Sequence, residues 1–195
     1  MTLIQASLER LESSGHRTDG FLEAYNEPHR VYHNLDHIHD VLLSITEMSN
    51  LFKFPRWVQD DLELAAWYHD FVYEIGSVDN EERSAQIALQ RTKDSSISYA
   101  VKTTSLHEQP LTFWGACLLD ADLRGLGATR SEYLDNRDRV RAEYGNPPEE
   151  LWVRGRSAFL TTYLNKPVLF HTSWGARYEE QARSNMIQER RDLEA

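Results

Sequence analysis

The sequence predicts an all-α fold in a single domain spanning residues 1–195. Apolar side chains recur at helical spacing in nearly every long segment. Strand signals are sparse, and the best of them, Val168–Phe170, is short. We find no internal repeat, low-complexity tract or linker that would divide the chain. With 195 residues, 41% of them hydrophobic, the chain is long enough to build one sizeable core.

Helix signals follow one another along the first part of the chain. A stripe of leucine and isoleucine over residues 3–11 predicts the first helix. A second stripe covers residues 35–45, and Asn34 precedes it as a candidate N-cap. Pro55 precedes a third helix, whose apolar run ends at residues 69–70.

The next predicted helices begin after the third one ends. Asp79 and Glu82 have the D-x-x-E spacing of a capping box, which would open a helix that runs through Leu89. Ile97 and Val101 then lie four residues apart and mark a further helix.

The second half of the chain carries equally clear signals. A strongly apolar helix is predicted over residues 111–123, between a proline and a glycine. Thr129 and Glu132 form a second capping box. Pro148 suits the first position of the helix that follows, and residues 178–187 carry the last stripe.

Composition narrows the classes of function. The net charge of -10 argues against a nucleic-acid polymer as partner, because phosphate backbones are bound by clustered Lys and Arg. No apolar run approaches the ~20 residues needed to span a membrane, and the N-terminus lacks a signal-peptide pattern. The single cysteine, Cys117, is predicted to be a small buried hydrophobe. We therefore expect a cytoplasmic protein of open oligomeric state.

Four metal-binding side chains lie at the ends of predicted helices. His69 and Asp70 end one apolar run, while His37 lies near the start of another helix and Asp122 near the end of a third. Consecutive helical residues point about 100° apart, so His69 and Asp70 can flank one ion. Asp120 is the alternative carboxylate. Taken singly, each is a polar helix-end residue; together they favour a mixed N/O site for Mn, Fe, Co or Ni, with Zn or Mg as alternatives.

Longer motifs surround these residues. Residues 30–38 read RVYHNLDHI, residues 67–73 WYHDFVY, residues 80–85 NEERSA and residues 120–123 DADL. They resemble the R-x-Y-H-N-L-x-H-I, W-x-H-D-x-V-Y, N-E-x-R-S-A and D-x-D-L blocks of a bacterial group of predicted phosphohydrolases in the HD superfamily. Residues 182–185 are also similar to a segment of that group. The resemblance covers most of the chain.

The resemblance implies an HD-domain-like helical bundle with a metal site at converging helix ends. The implied ligands are His37, His69, Asp70 and Asp122. Dinuclear members of the superfamily place two further histidines between the HD pair and the last aspartate, whereas this chain has one, His107. We therefore expect one divalent ion and disfavour a dinuclear oxygenase. His107 is predicted to contact substrate, with a helix-end cap as its equal alternative.

Further residues are predicted to act on a substrate. Related phosphohydrolases place acids just past the HD pair, which implies Glu74 and Asp79 as catalytic carboxylates; a solvated loop acid and a helix cap are the respective alternatives. Arg30 and Arg83 are the best candidates to clamp a phosphate, because a guanidinium fork matches its oxygens, although either could form a salt bridge. His33 is a further candidate substrate contact, or it hydrogen-bonds the nearby backbone.

The expected function is hydrolysis of a small phosphate ester, with nucleotides among the candidates, by a metal-activated water. The small phosphorylated substrate is the expected partner. A non-catalytic metal or nucleotide sensor that keeps the fold is the main alternative. Tight nucleotide binding without turnover would identify such a sensor.

Overall fold

A computed structural model describes residues 1–105 and 109–194, and within these ranges the chain is helical with no β-strand. His107 lies outside the described residues. Two short 3-10 helices, Arg124–Gly127 and Gly175–Tyr178, accompany the α-helices. The described α-helices are α1 (Leu3–Ser13), α2 (Phe21–Tyr25), α3 (Leu35–Phe52), α4 (Arg56–His69), α5 (Asn80–Thr92), α6 (Ser95–Thr103), α7 (Phe113–Leu123), α8 (Arg130–Glu143), α9 (Glu149–Leu164) and α10 (Glu179–Glu194).

Several helix ends are formed by the residues that the sequence indicates. The Asn34 side chain caps α3 by accepting a hydrogen bond from the backbone N–H of Asp36. Thr129 and Glu132 form the reciprocal capping box at the start of α8. Beyond its end, Gly145 adopts a positive φ of 75°, a conformation that glycine tolerates without strain. Local side-chain chemistry therefore sets these boundaries.

Two local predictions differ from the structure. Asp79 occupies the N-cap position of α5 but makes no capping hydrogen bond. Its carboxylate instead accepts the Ser77 hydroxyl at 2.6 Å, so the predicted capping box does not form. The strand signal around Leu169 also fails, because the N–H groups of Leu169 and Phe170 donate to the Glu179 carboxylate instead of to a neighbouring strand.

Helix α7 connects two hydrophobic clusters. Its Cys117 and Leu118 belong to the larger cluster, which also contains buried residues of α3, α4, α5 and α6. Its Leu119 and Leu123 belong to the second, which involves α8, α9 and α10. A helix that is apolar on all sides packs inside a fold, and α7 has this character. Asp122, near its C-terminal end, is therefore held by a rigid central element.

None of the helices in the described part of the chain is both long enough and apolar enough to cross a bilayer.

Candidate metal centre

The predicted ligands come together at the ends of three helices. His37 lies in the first turn of α3, His69 and Asp70 lie at the end of α4, and Asp122 lies near the end of α7. The donor atoms of His37, His69 and Asp70 all lie within 4.8 Å of one another. Asp122 adds a second carboxylate, with its Oδ1 3.2 Å from Nε2 of His37 and 3.6 Å from Nε2 of His69.

The distances between these donor atoms fit a divalent ion. Metal bonds of about 2.1 Å place adjacent donors about 3.0 Å apart in an octahedron and about 3.4 Å apart in a tetrahedron. The Nε2 atoms of His37 and His69 are 3.1 Å apart, and Nε2 of His69 is 3.1 Å from Oδ2 of Asp70. Two imidazoles and two carboxylates can thus share one ion and leave positions for water or substrate.

A hydrogen bond behind His69 supports this arrangement. Its Nδ1 lies 2.7 Å from the carbonyl oxygen of Ala66, so the ring donates Nδ1–H there and directs the lone pair of Nε2 toward the other ligands. Metal-binding histidines characteristically donate their second ring nitrogen in this way, which fixes both tautomer and orientation.

The cluster is electrostatically coupled. Burial raises the pKa of Asp70, but the charge and hydrogen bond of His69 outweigh it and hold that pKa well below its ordinary value. Burial likewise raises the pKa of Asp122, and hydrogen bonds from His37 and His69 reverse the shift. The pKa of His69 is lowered by burial, yet the two carboxylates raise it well above its usual value. Two buried carboxylates therefore require positive charge here, from imidazolium or from a metal.

Asp120, the alternative carboxylate, has a different place. It is fully buried, and its oxygens accept hydrogen bonds at 2.7 Å from the backbone N–H groups of His171 and Thr172 and from the Thr172 hydroxyl. Asp120 therefore holds the segment before α10 against α7, whereas Asp122 contacts the two histidines.

Arg30 supports the cluster of His and Asp side chains from outside the cavity. Its guanidinium donates to the backbone oxygen of Asp70 at 2.7 Å and of Phe71 at 3.1 Å, and to the Glu27 carboxylate at 2.9 Å. Its side chain has no exposed surface. Arg30 thus fixes the backbone that follows α4, and it is not placed to clamp a phosphate as the sequence suggests.

A cavity of about 630 Å³ adjoins the cluster, and Asp70 and Asp122 form part of its wall. This volume is in the range of small-molecule sites. Large aromatic side chains line much of the cavity, namely Tyr32, Tyr73, Tyr133, Tyr144, Trp152, Phe159 and Tyr163. The space can therefore hold a ligand much larger than inorganic phosphate.

His33 also lines this cavity. Its Nδ1 lies 2.6 Å from Oε1 of Glu143, a residue at the end of α8. Burial lowers the pKa of His33, but the hydrogen bond to Glu143 outweighs it and raises that pKa. The pairing uses Nδ1 and leaves the other ring nitrogen as a potential contact for a ligand.

The remaining predicted residues are less close to the chemistry. Glu74 lines the cavity, but its carboxylate pairs with Arg83 at 3.0 Å and is largely exposed. Arg83 and Asp79 do not line the cavity. Both side chains are exposed, and Nη1 of Arg83 lies 3.7 Å from Oδ1 of Asp79. Arg83 therefore forms the salt bridge that is its alternative role.

Sequence analysis does not predict a site role for four charged residues that line the cavity, namely Glu81, Arg137, Arg154 and Arg156. Glu81 stands within the N-E-E-R-S-A block, which is the one signal that could have identified it. Arg137 lies on the polar helix α8, and Arg154 and Arg156 lie on α9, which mixes polar and apolar residues. In both helices the sequence alone does not distinguish a solvated arginine from one that faces a cavity. Only the packing of α8 and α9 shows that they face a cavity.

Comparison with family models, with curated proteins and with solved structures gives no match to this chain.

Proposed function

We propose that the chain is a metal-dependent phosphohydrolase of the HD type that acts on a small phosphate ester at one divalent ion. The observation that carries the proposal is the grouping of His37, His69, Asp70 and Asp122, because Asp70 and Asp122 also line a cavity large enough for an organic phosphate. When bound, the ion supplies Lewis acidity, which activates water and offsets charge on the phosphoryl oxygens. The ring of motifs around the cluster supports the choice of phosphoryl chemistry.

Glu81 is the carboxylate best suited to take a proton from water. It lines the cavity, and its side chain forms no ion pair with the described residues and hydrogen-bonds only its own backbone N–H. Burial raises its pKa, and the negative charges of Asp70 and Asp122 raise it further. A raised pKa makes a carboxylate a stronger base at neutral pH. Glu74, in contrast, is committed to Arg83.

His33 can contribute on the substrate side. Glu143 orients its ring, so the remaining nitrogen can donate a hydrogen bond to a substrate oxygen in the cavity. A charge-assisted hydrogen bond of this kind stabilises an anionic group more strongly than a neutral one.

The proposal is tested by phosphate release. Metal-stripped protein would be resupplied with Mn, Co, Ni, Mg or Zn and incubated with nucleotides and simple phosphate esters. We expect release with at least one metal, and its loss in Asp70→Ala, because that substitution removes a carboxylate ligand. The matched control is Asp40→Ala, which removes an exposed aspartate from α3. Folded, metal-loaded protein that binds nucleotides tightly without turnover would instead identify a sensor.

The role of Glu81 gives a separate prediction. Glu81→Gln is expected to lower kcat by about 100-fold or more while metal binding is retained, since general-base catalysis contributes about 10²–10⁴-fold. Glu82→Gln on the same helix is the control, because the Glu82 carboxylate pairs with Lys102 at 2.7 Å. If Glu74→Gln lost activity and Glu81→Gln kept it, the base would be Glu74.

A further inference from the structure

Charged side chains of opposite sign line different parts of the cavity. Among the described residues, its carboxylates all belong to the segment from α4 to α7, namely Asp70, Glu74, Glu81 and Asp122. Its guanidinium groups all belong to α8 and α9, namely Arg137, Arg154 and Arg156. A ligand that spans the cavity would therefore meet the metal cluster at one wall and arginines at the other.

Arg156 is the most strongly fixed of these arginines. Its Nε donates to Oε1 of Glu189 at 2.8 Å, and its Nη2 donates to Oε2 of Glu189 at 3.1 Å and to the Tyr133 hydroxyl at 3.3 Å. The guanidinium carbon lies 4.5 Å from the centre of the Phe159 ring. The side chain is 9% exposed and Glu189 is fully buried. These contacts remove the side-chain freedom that an anion would otherwise have to restrict.

One nitrogen of this guanidinium is left over. Nη1 has no hydrogen-bond partner among the described residues, although a guanidinium carries five N–H donors in all. Among all the described residues, the fully buried side-chain nitrogen and oxygen atoms that lack a partner are Nε of Arg10 and the hydroxyl oxygen of Tyr68. Nη1 of Arg156 is not one of these atoms, so it is not fully buried. Nη1 is therefore open to solvent, and the open space that Arg156 lines is the cavity.

Arg156 is also close enough to the cavity wall formed by Asp70 and Asp122 for its charge to act on the same group as the charge of Asp122. Burial raises the pKa of Tyr163, the charge of Asp122 raises it further, and the charge of Arg156 lowers it. Tyr163, itself a cavity residue, thus feels both groups. A single phosphate ester could engage the two walls together.

We propose that Arg156 is an anion-binding residue of this cavity, which donates from Nη1 to a phosphoryl oxygen of the substrate. The assignment rests on the proposed function for the identity of the anion. Glu189 neutralises much of the charge of Arg156. The positive potential that attracts an anion to this wall therefore depends also on Arg137 and Arg154, which line the same cavity. Arg154 is exposed and has no ion pair within the described ranges, and Arg137 pairs only with its neighbour Asp138.

A purely structural role is the competing explanation, in which Arg156 serves only to neutralise Glu189. Arg156→Gln alone would leave a buried carboxylate unpaired and endanger folding. The double variant Arg156→Gln/Glu189→Gln removes both charges and keeps hydrogen-bonding groups. Glu189→Gln alone keeps the guanidinium. The matched control is Arg141→Gln, because the guanidinium carbons of Arg141 and Arg156 lie 5.5 Å and 5.9 Å from the centre of the Trp152 ring, but Arg141 does not line the cavity.

The experiment is an NMR titration of the 195-residue chain with inorganic phosphate, with and without Mg²⁺. We expect the double variant to bind phosphate about 10-fold to 100-fold more weakly than wild type, as for loss of one charge-assisted hydrogen bond. Glu189→Gln and Arg141→Gln should stay within a few-fold of wild type. Equal phosphate affinity in the double variant and the wild type would overturn the assignment, whatever happens to its melting temperature.

A kinetic arm separates this assignment from the proposed function. With an active metal, the double variant should raise KM for a phosphate monoester or lower kcat/KM by a similar factor. Hydrolysis that proceeds with unchanged KM and unchanged phosphate affinity would contradict the role of Arg156 while keeping the phosphohydrolase. Phosphate binding that depends on Arg156, without hydrolysis in the presence of any of the metals, would keep the role of Arg156 and contradict the phosphohydrolase.

Discussion

Replacing His37 with alanine is expected to abolish the stabilisation of the protein that an added divalent metal ion should give by binding at the candidate site. His37 supplies one of two imidazoles, and its Nε2 lies within 3.2 Å of donor atoms on both His69 and Asp122. Loss of an outer-shell partner already weakens metal binding about 10-fold to 100-fold, so loss of a direct ligand should exceed about 100-fold. At a metal concentration 100 times the wild-type Kd, wild type gains about 2.7 kcal/mol and the variant less than about 0.5 kcal/mol.

Thermal unfolding with and without metal measures this difference. For a chain of this length, about 2.7 kcal/mol corresponds to a rise in Tm of about 5–10 °C, which His37→Ala should lose. His39→Ala is the matched control, because His39 lies on the same helix with its side chain exposed beside Asp40. A metal-induced shift that persists in His37→Ala, or that disappears equally in His39→Ala, would show that the ion binds elsewhere.

The helices of this protein could be predicted because their signals are local. The apolar run of α4 and the capping box of α8 depend on residues within one or two turns of each other. The short helix α2 gave no such signal, since five residues are too few to show a period. Asp79 failed as a cap because the nearby Ser77 hydroxyl bonds its carboxylate. Competition between local partners is not visible in spacing alone.

In the candidate site, too, the residues with local sequence signals could be predicted, and the residues whose roles depend on distant partners could not. The candidate ligands His69 and Asp70 lie at the end of an apolar run in the sequence, and helix ends bring such side chains to one point. Arg30 takes its alternative role in a salt bridge with Glu27, and its bonds to the backbone after α4, which cross 40 residues of sequence, could not be predicted. Arg156 was missed because its partner Glu189 lies 33 residues away on another helix. Whether an arginine supports backbone or faces a cavity is decided by tertiary packing.

Glu143 is the clearest case of a contact that only tertiary structure creates, and it leads to a large predicted effect. Its Oε2 accepts hydrogen bonds from the backbone N–H groups of Val31, Tyr32 and His33 at 2.8–2.9 Å. Its Oε1 accepts the Tyr73 hydroxyl at 2.5 Å and contacts His33 at 2.6 Å. One buried carboxylate therefore ties the end of α8 to the segment that leads into α3, which carries His37.

Glu143→Ala is expected to lower the free energy of unfolding by about 3–5 kcal/mol, because three backbone donors and two side chains lose their partner in a buried setting. Chemical denaturation measures this loss. Asp135→Ala is the control, since Asp135 is an exposed acid on the same helix. A loss of less than about 1 kcal/mol in Glu143→Ala would mean that water replaces the carboxylate and that the tie contributes little.

The pH dependence of the same tie tests its electrostatic part. Burial raises the pKa of Glu143, but the hydrogen bond and charge of His33 and the Tyr73 hydroxyl outweigh it and lower that pKa from 4.5 to about 2. Because the folded state holds fewer protons on this group, its contribution of about 3 kcal/mol is present above pH 4.5 and is lost as the pH falls toward 2. Glu143→Gln cannot titrate, so the stability difference between wild type and this variant should shrink over that window. If the difference in unfolding free energy between wild type and Glu143→Gln stayed constant from pH 6 to pH 2, the ionised state of Glu143 would not contribute to stability.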